Sequence, residues 1–196
     1  MTILRAITRI VASTVFATAA QTALADTTGD RDLGKRGGFM VQGDLDVGGD
    51  DLVTVSFDNG DSQDIKAGQG LAASVGGYFR PMADSPFELQ ALIGFKYVTT
   101  AASNADINVS RLVVQLNGVY RFANGWYAGA GIVQHNNTEL DGDGFFEDIE
   151  FDNATGFNIE AGWKWVGLHY TDMEYENDFL LPVDASHIGL RFTARF

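Results

Sequence analysis

His187-Ile188-Gly189-Leu190-Arg191-Phe192-Thr193-Ala194-Arg195-Phe196 alternates apolar and polar side chains without a break. Ile188, Leu190, Phe192, Ala194 and Phe196 fall on one face of an extended strand, and His187, Gly189, Arg191, Thr193 and Arg195 on the other. Successive side chains of a strand point to opposite sides of the sheet, so period two marks a strand with one apolar face. A helix would instead repeat its apolar positions every three or four residues.

Working back from this stretch, the same period recurs through most of the chain. A first strand sets Phe39, Val41, Gly43, Leu45 and Val47 against Met40, Gln42, Asp44 and Asp46. A second, about 65–80, carries Leu71, Ala73, Val75, Gly77 and Phe79 on its apolar face, and a third, 87–99, opposes Leu89, Ala91, Ile93 and Phe95 to Glu88, Gln90 and Lys96. The fourth, about 107–122, sets Leu112, Val114, Leu116 and Tyr120 against Arg111, Gln115, Asn117 and Arg121. Strands over 126–135 and 155–165, one ending near Tyr175, and the final one over 185–196 complete a set of eight. Leu52 to Phe57 also alternates and keeps the phase of the first strand through Gly48-Gly49, so it reads as an extension of that strand. Asp58-Asn59-Gly60-Asp61 then reverses the chain, its Asn-Gly suiting a type I′ turn.

Long polar connections (48–64, 99–106, 136–153, 176–184) alternate with short ones near Pro81, Asn124 and Val166. Phe39, Phe79, Phe87, Phe122, Trp126, Trp163, Trp165 and Phe196 all fall near the short-turn ends, where an interfacial aromatic girdle belongs. The pattern predicts an all-β chain: an eight-stranded antiparallel up-and-down transmembrane β-barrel. A soluble sandwich or lipocalin-like barrel would turn the apolar face inward. In that case the girdle, the loop alternation and the terminal Phe would have no common cause.

The amino-terminal 1–25 reads as a secretory signal peptide. Arg5 and Arg9 supply its positive region, Ile10 to Ala20 its apolar stretch and Ala23-Leu24-Ala25 its cleavage site. Residues 26–36 are then a short periplasmic segment, and 37–196 the barrel domain. The formal charge of -13 moves to about -15 once the two signal arginines are removed, which argues against nucleic-acid binding as a main activity. The absence of cysteine excludes disulfides, thiolate metal sites and cysteine nucleophiles.

With this strand pattern, loop alternation and terminal Phe, the chain from about Gly37 to Phe196 resembles the small outer-membrane barrels typified by the OmpA transmembrane domain and OmpX. The resemblance implies a monomer in the cell outer membrane of a Gram-negative envelope, in contact with its lipid and lipopolysaccharide. It also implies that Phe196 is an assembly signal read by the barrel-assembly machinery. The chain departs from full-length OmpA proteins in stopping at the barrel, without a peptidoglycan-binding domain.

Three places could carry function. Eight strands enclose only enough room for their own side chains. Counting from the short-turn end sets Asp44 opposite Arg191, Glu160 at similar depth, and Lys164 and Arg195 lower down, which predicts interior ion pairs. The third long loop crowds seven carboxylates between Glu139 and Asp152. Asp141, Asp143, Glu147 and Asp148 are its candidate ligands for Ca2+ or Mg2+, bridging to lipopolysaccharide phosphates, although Phe145-Phe146 breaks the calcium-loop pattern of an EF-hand. Lastly, His169-Tyr170-Thr171 loosely resembles the His-x-Ser of lipid A deacylases. Here Thr replaces Ser and no acid has the phase to orient His169. His135 and His187 show no metal-ligand spacing. The sequence therefore predicts a non-enzymatic structural barrel without a cofactor, with acidic loops that touch envelope components or a surface partner. Its rivals are a lipid-modifying enzyme and a narrow small-solute channel.

Overall fold

In a computed structural model the described residues are 35–56, 62–99, 107–142, 144, 147–177 and 180–196. Eight strands form the wall: β1 (Gly37–Val47), β2 (Gly70–Phe79), β3 (Phe87–Thr99), β4 (Asn108–Arg121), β5 (Trp126–Asp141), β6 (Ala154–Trp163), β7 (Val166–Asp172) and β8 (His187–Arg195). Each pairs antiparallel with the next in sequence, and β1 pairs with β8, so the sheet closes on itself. Closure removes the free strand edges that an open sheet would expose. The predicted eight-stranded antiparallel up-and-down barrel is the observed architecture.

The alternation decides which way each side chain points. Leu45, Leu71 and Tyr97 are neighbours across β1, β2 and β3, Leu45 also neighbours Leu190 of β8, and Leu190 neighbours Leu168 of β7. All five point outward and are exposed. Leu116, Ile132, Phe157 and Ile159 continue this apolar belt, and the eight aromatics of the girdle are all exposed near the short-turn end. The opposite phase is buried and polar, including Gln42, Asp44, Asp46, Glu88, Lys96, Arg111, Asn117, Glu160 and Arg191. This is the reverse of a soluble protein, whose exposed apolar patches rarely exceed a few hundred Å².

Toward the long-loop end the interior changes character. Ile65, Val98, Val109, Val113, Val133, Leu140, Phe151, Met173 and Tyr175 pack there as one apolar core. Much of it comes from strand extensions that the belt pattern does not distinguish. Asp51–Ser56 pairs with Ser62–Lys66, Ile149–Phe151 with β5, and Glu174–Asn177 with Leu180–Asp184. The first extension is not continuous with β1. Gly48 and Gly49 break the strand with φ of 135° and 83°, in the region that favours glycine. A Cβ on Gly48 would also meet the Ser186 carbonyl at 2.7 Å. The Asp58-Asn59-Gly60-Asp61 turn lies outside the described residues.

Candidate functional site

The lumen holds three polar layers. At the short-turn end Glu88 of β3 meets three guanidiniums: Arg195 at 2.7 Å, Arg121 at 3.0 Å and Arg80 at 3.4 Å. Gln90 donates to the same carboxylate at 2.7 Å. Arg80 and Arg195 also lie over the Tyr78 ring, 5.6 and 4.1 Å from its centroid.

The middle layer centres on Arg191. Its Nε and one terminal nitrogen donate to the two oxygens of Asp44 at 2.9 and 3.1 Å, while the other terminal nitrogen donates to Glu160 at 3.0 Å. Gln115 accepts at 3.3 Å, and Gln42 bridges Asp44 and Gln115. Asp44 and Arg191 are direct cross-strand partners on β1 and β8, which brings the two together. An ion pair buried this deeply stabilises only when its remaining donors and acceptors are satisfied. Both Asp44 oxygens meet that condition, whereas Glu160 Oε1 and Gln42 Oε1 have no hydrogen-bond partner among the described residues.

The third layer gathers all three histidines of the chain. His169 Nε2 lies 2.8 Å from Asp46 Oδ1, and Lys96 Nζ lies 2.7 Å from Asp46 Oδ2. Lys96 also donates to the Gly68 carbonyl at 2.7 Å and approaches His187 Nε2 at 3.2 Å. His187 Nδ1 meets the Ala185 carbonyl at 2.9 Å, so that nitrogen carries the hydrogen and Nε2 is left as the acceptor. His135 pairs with the Tyr175 hydroxyl at 2.6 Å and stacks on His187. Arg111 donates to the carbonyls of Ala67 and Gln69 and lies over the Tyr175 ring. The Ala67-Gly68-Gln69 turn is thereby pinned across the lumen by two cations, with the apolar core above it.

Asp46, His169 and His187 each present a ligand atom within 4.8 Å of the others, as a metal ion would need. The Lys96 ammonium already contacts two of the three, Asp46 and His187, so the cluster holds a cation of the chain's own. An acid does orient His169, contrary to the sequence expectation. It is Asp46, reached across β8 over Gly189. A Cβ at Gly189 would fall between the two hydrogen-bonded atoms. The inward phase of Asp46, His169 and His187, with a glycine between two of them, was the signal available in the sequence.

Lys164 requires a correction. It was expected inside the barrel below Glu160, but β6 ends at Trp163 and Lys164 enters the two-residue turn with φ of 55°. That turn swings its side chain outside, where it is exposed and its Nζ sits 4.5 Å from the Trp163 ring centroid. Phe196 is also exposed; its amide donates to the Phe39 carbonyl at 2.9 Å and its ring lies 6.1 Å from that of Phe39.

In the acidic loop, Asp141 accepts from Asn108 at 3.4 Å and Asp148 accepts from the Gly142 amide at 3.0 Å. Glu147 is exposed, and Asp143 lies outside the described residues.

No protein-family model and no curated protein matches this chain. Among solved structures it is similar to Ail, the attachment invasion locus protein of Yersinia pestis. The identity is 8%, the match covers 81% of this chain and 97% of that one, and the TM-score is 0.43. So remote a likeness adds nothing to the geometry above.

Proposed function

We propose that this chain is an outer-membrane β-barrel whose role is structural, with acidic loops that contact envelope components or a surface partner, rather than enzymatic or conductive. One observation carries the reading: a closed wall with an apolar belt outside and paired charges inside. Only a hydrocarbon solvent makes that arrangement favourable, because closure satisfies every wall hydrogen bond without water. The aromatic girdle would then mark the periplasmic interface, and the long-loop end would face outward. Three polar layers and an apolar core fill the lumen, which supports a plugged barrel over a small-solute path. His169 is 3% exposed and turned away from the lipid-facing wall, which supports a positioning role over lipid chemistry. The acidic outer loops, with Asp141, Asp143, Glu147 and Asp148, would contact envelope phosphates through Ca2+ or Mg2+, or meet a surface partner.

The reading is tested by extracting the protein from membranes and running it on a gel with and without boiling. A barrel of this kind stays in the detergent phase and shifts mobility only after boiling. Recovery as a soluble monomer without detergent would overturn it.

A further inference from the structure

Lys96 and Asp46 sit on strands that are not neighbours. Between β1 and β3 runs β2, which places Gly70 opposite Asp46 and Ala72 opposite Lys96. These small residues leave the space through which the lysine stem crosses. A Cβ on Gly70 would press on Lys96 Cγ at 3.2 Å and Cε at 3.3 Å. The stem therefore delivers Nζ to within 2.7 Å of Asp46 Oδ2, and both side chains are only 2% exposed.

Two histidines complete the arrangement. His187 Nε2, the acceptor nitrogen of its ring, is 3.2 Å from Lys96 Nζ and 3.7 Å from Asp46 Oδ2. His169 Nε2 holds the other carboxylate oxygen, Oδ1, at 2.8 Å. A base is thus within hydrogen-bond reach of the amine and lies beside the leaving oxygen, while a donor holds the oxygen that would carry developing charge.

We propose that Lys96 and Asp46 condense into an intramolecular amide that staples β1 to β3. His187 Nε2 takes a proton from the ammonium, and the freed amine attacks Asp46 Cγ. The Nζ–Cγ bond forms as the carbonyl electrons move onto Oδ1, where the His169 N–H stabilises them. Collapse breaks the Cγ–Oδ2 bond. Oδ2 leaves as water, taking one proton back from His187 and a second from Nζ. Of the three ammonium hydrogens one stays on the amide and two depart with the oxygen, so His187 ends neutral and no oxidant or reductant is consumed.

Two further features favour the reaction. Groups held in contact react with effective molarities on the order of 10⁵ M or more, and burial favours a neutral amide over a desolvated ion pair. A cavity of about 10 Å³ bordered by Asp46, Lys96, His169 and His187 is close to the space one released water needs. The proposal depends on the interior alone and holds wherever the barrel resides.

The test is the mass of protein purified in detergent from the membranes where it assembles, followed by digestion and peptide sequencing. The native chain should be one water lighter than its processed sequence and yield a branched peptide joining positions 46 and 96. Lys96→Arg should show the full mass and no branch. Asp46→Asn should lose ammonia instead and give the same branched peptide, and His187→Gln should slow its appearance at least tenfold. A native chain at full sequence mass after prolonged incubation in the folded state, with separate linear peptides carrying Asp46 and Lys96, would overturn the proposal. That mass is read on the native protein, so it does not depend on any variant folding.

Discussion

His169 donates from Nε2 to Asp46 Oδ1 across 2.8 Å, and the bond passes over a strand that contributes only Gly189 at that level. The third layer of the lumen is built around that missing side chain. It lets β1 and β7 interact although β8 separates them.

Gly189→Ala should therefore break the Asp46–His169 bond while leaving the strand pattern intact. Losing this one buried hydrogen bond costs roughly 1–3 kcal/mol, because Lys96 still holds the other oxygen of Asp46. Urea unfolding in micelles should show that loss as a lower midpoint at unchanged slope. A midpoint equal to the parent's would mean that the two groups have room to part without cost.

Arg191→Met should be more damaging than its triple counterpart. Alone it strands Asp44 and Glu160 in the middle layer, at a cost of roughly 3–5 kcal/mol. Adding Asp44→Asn and Glu160→Gln removes the stranded charges, and most of the stability should return. Unfolding curves of the two variants, measured side by side, check this, and equal losses would deny that the network acts as a unit.

The belt, the lumen charges and the loop alternation were legible because a strand has only two faces. Once the register of β1 against β8 is counted, Asp44 and Arg191 must meet. Lys164 was misplaced because period two was carried past Trp163 to Trp165, through a turn with a left-handed backbone at Lys164. The Asp46–His169 contact was missed because its partners lie on non-adjacent strands, and only a glycine at the intervening position permits it. The apolar core near the long-loop end escaped notice for a related reason. Val98, Val109, Val113 and Val133 face inward among polar neighbours, and only the extensions folded above them create an apolar interior there.

The acidic loop should respond to divalent cations. Clustered carboxylates repel one another at neutral pH, and Ca2+ takes about 6–8 oxygen ligands. Calcium should protect 139–152 from protease added to intact cells. Asp141→Asn, Asp143→Asn, Glu147→Gln and Asp148→Asn together should abolish that protection and leave the boiled-gel shift unchanged. Equal cleavage with and without calcium would reduce the loop to a solvated acidic surface.

Leu168→Arg places a charge on the outward face at a position 56% exposed. On a lipid-facing wall this costs up to roughly 2–4 kcal/mol, depending on depth. A substitution on a water-facing surface usually stays within about 0.5 kcal/mol. Folding stability in lipid vesicles separates the two, and a negligible loss would place this face in water.

The central claim is that the exposed apolar wall faces lipid, and a spin-label scan along β6 in native membranes tests it most directly. The chain has no cysteine, so each introduced one is unique. Labels at Phe157, Ile159 and Ala161 should collide with lipid-dissolved oxygen and be shielded from a water-soluble relaxation agent, while labels at Asn158 and Glu160 should be shielded from both. Free access of the water-soluble agent to Phe157, Ile159 and Ala161 would contradict the account.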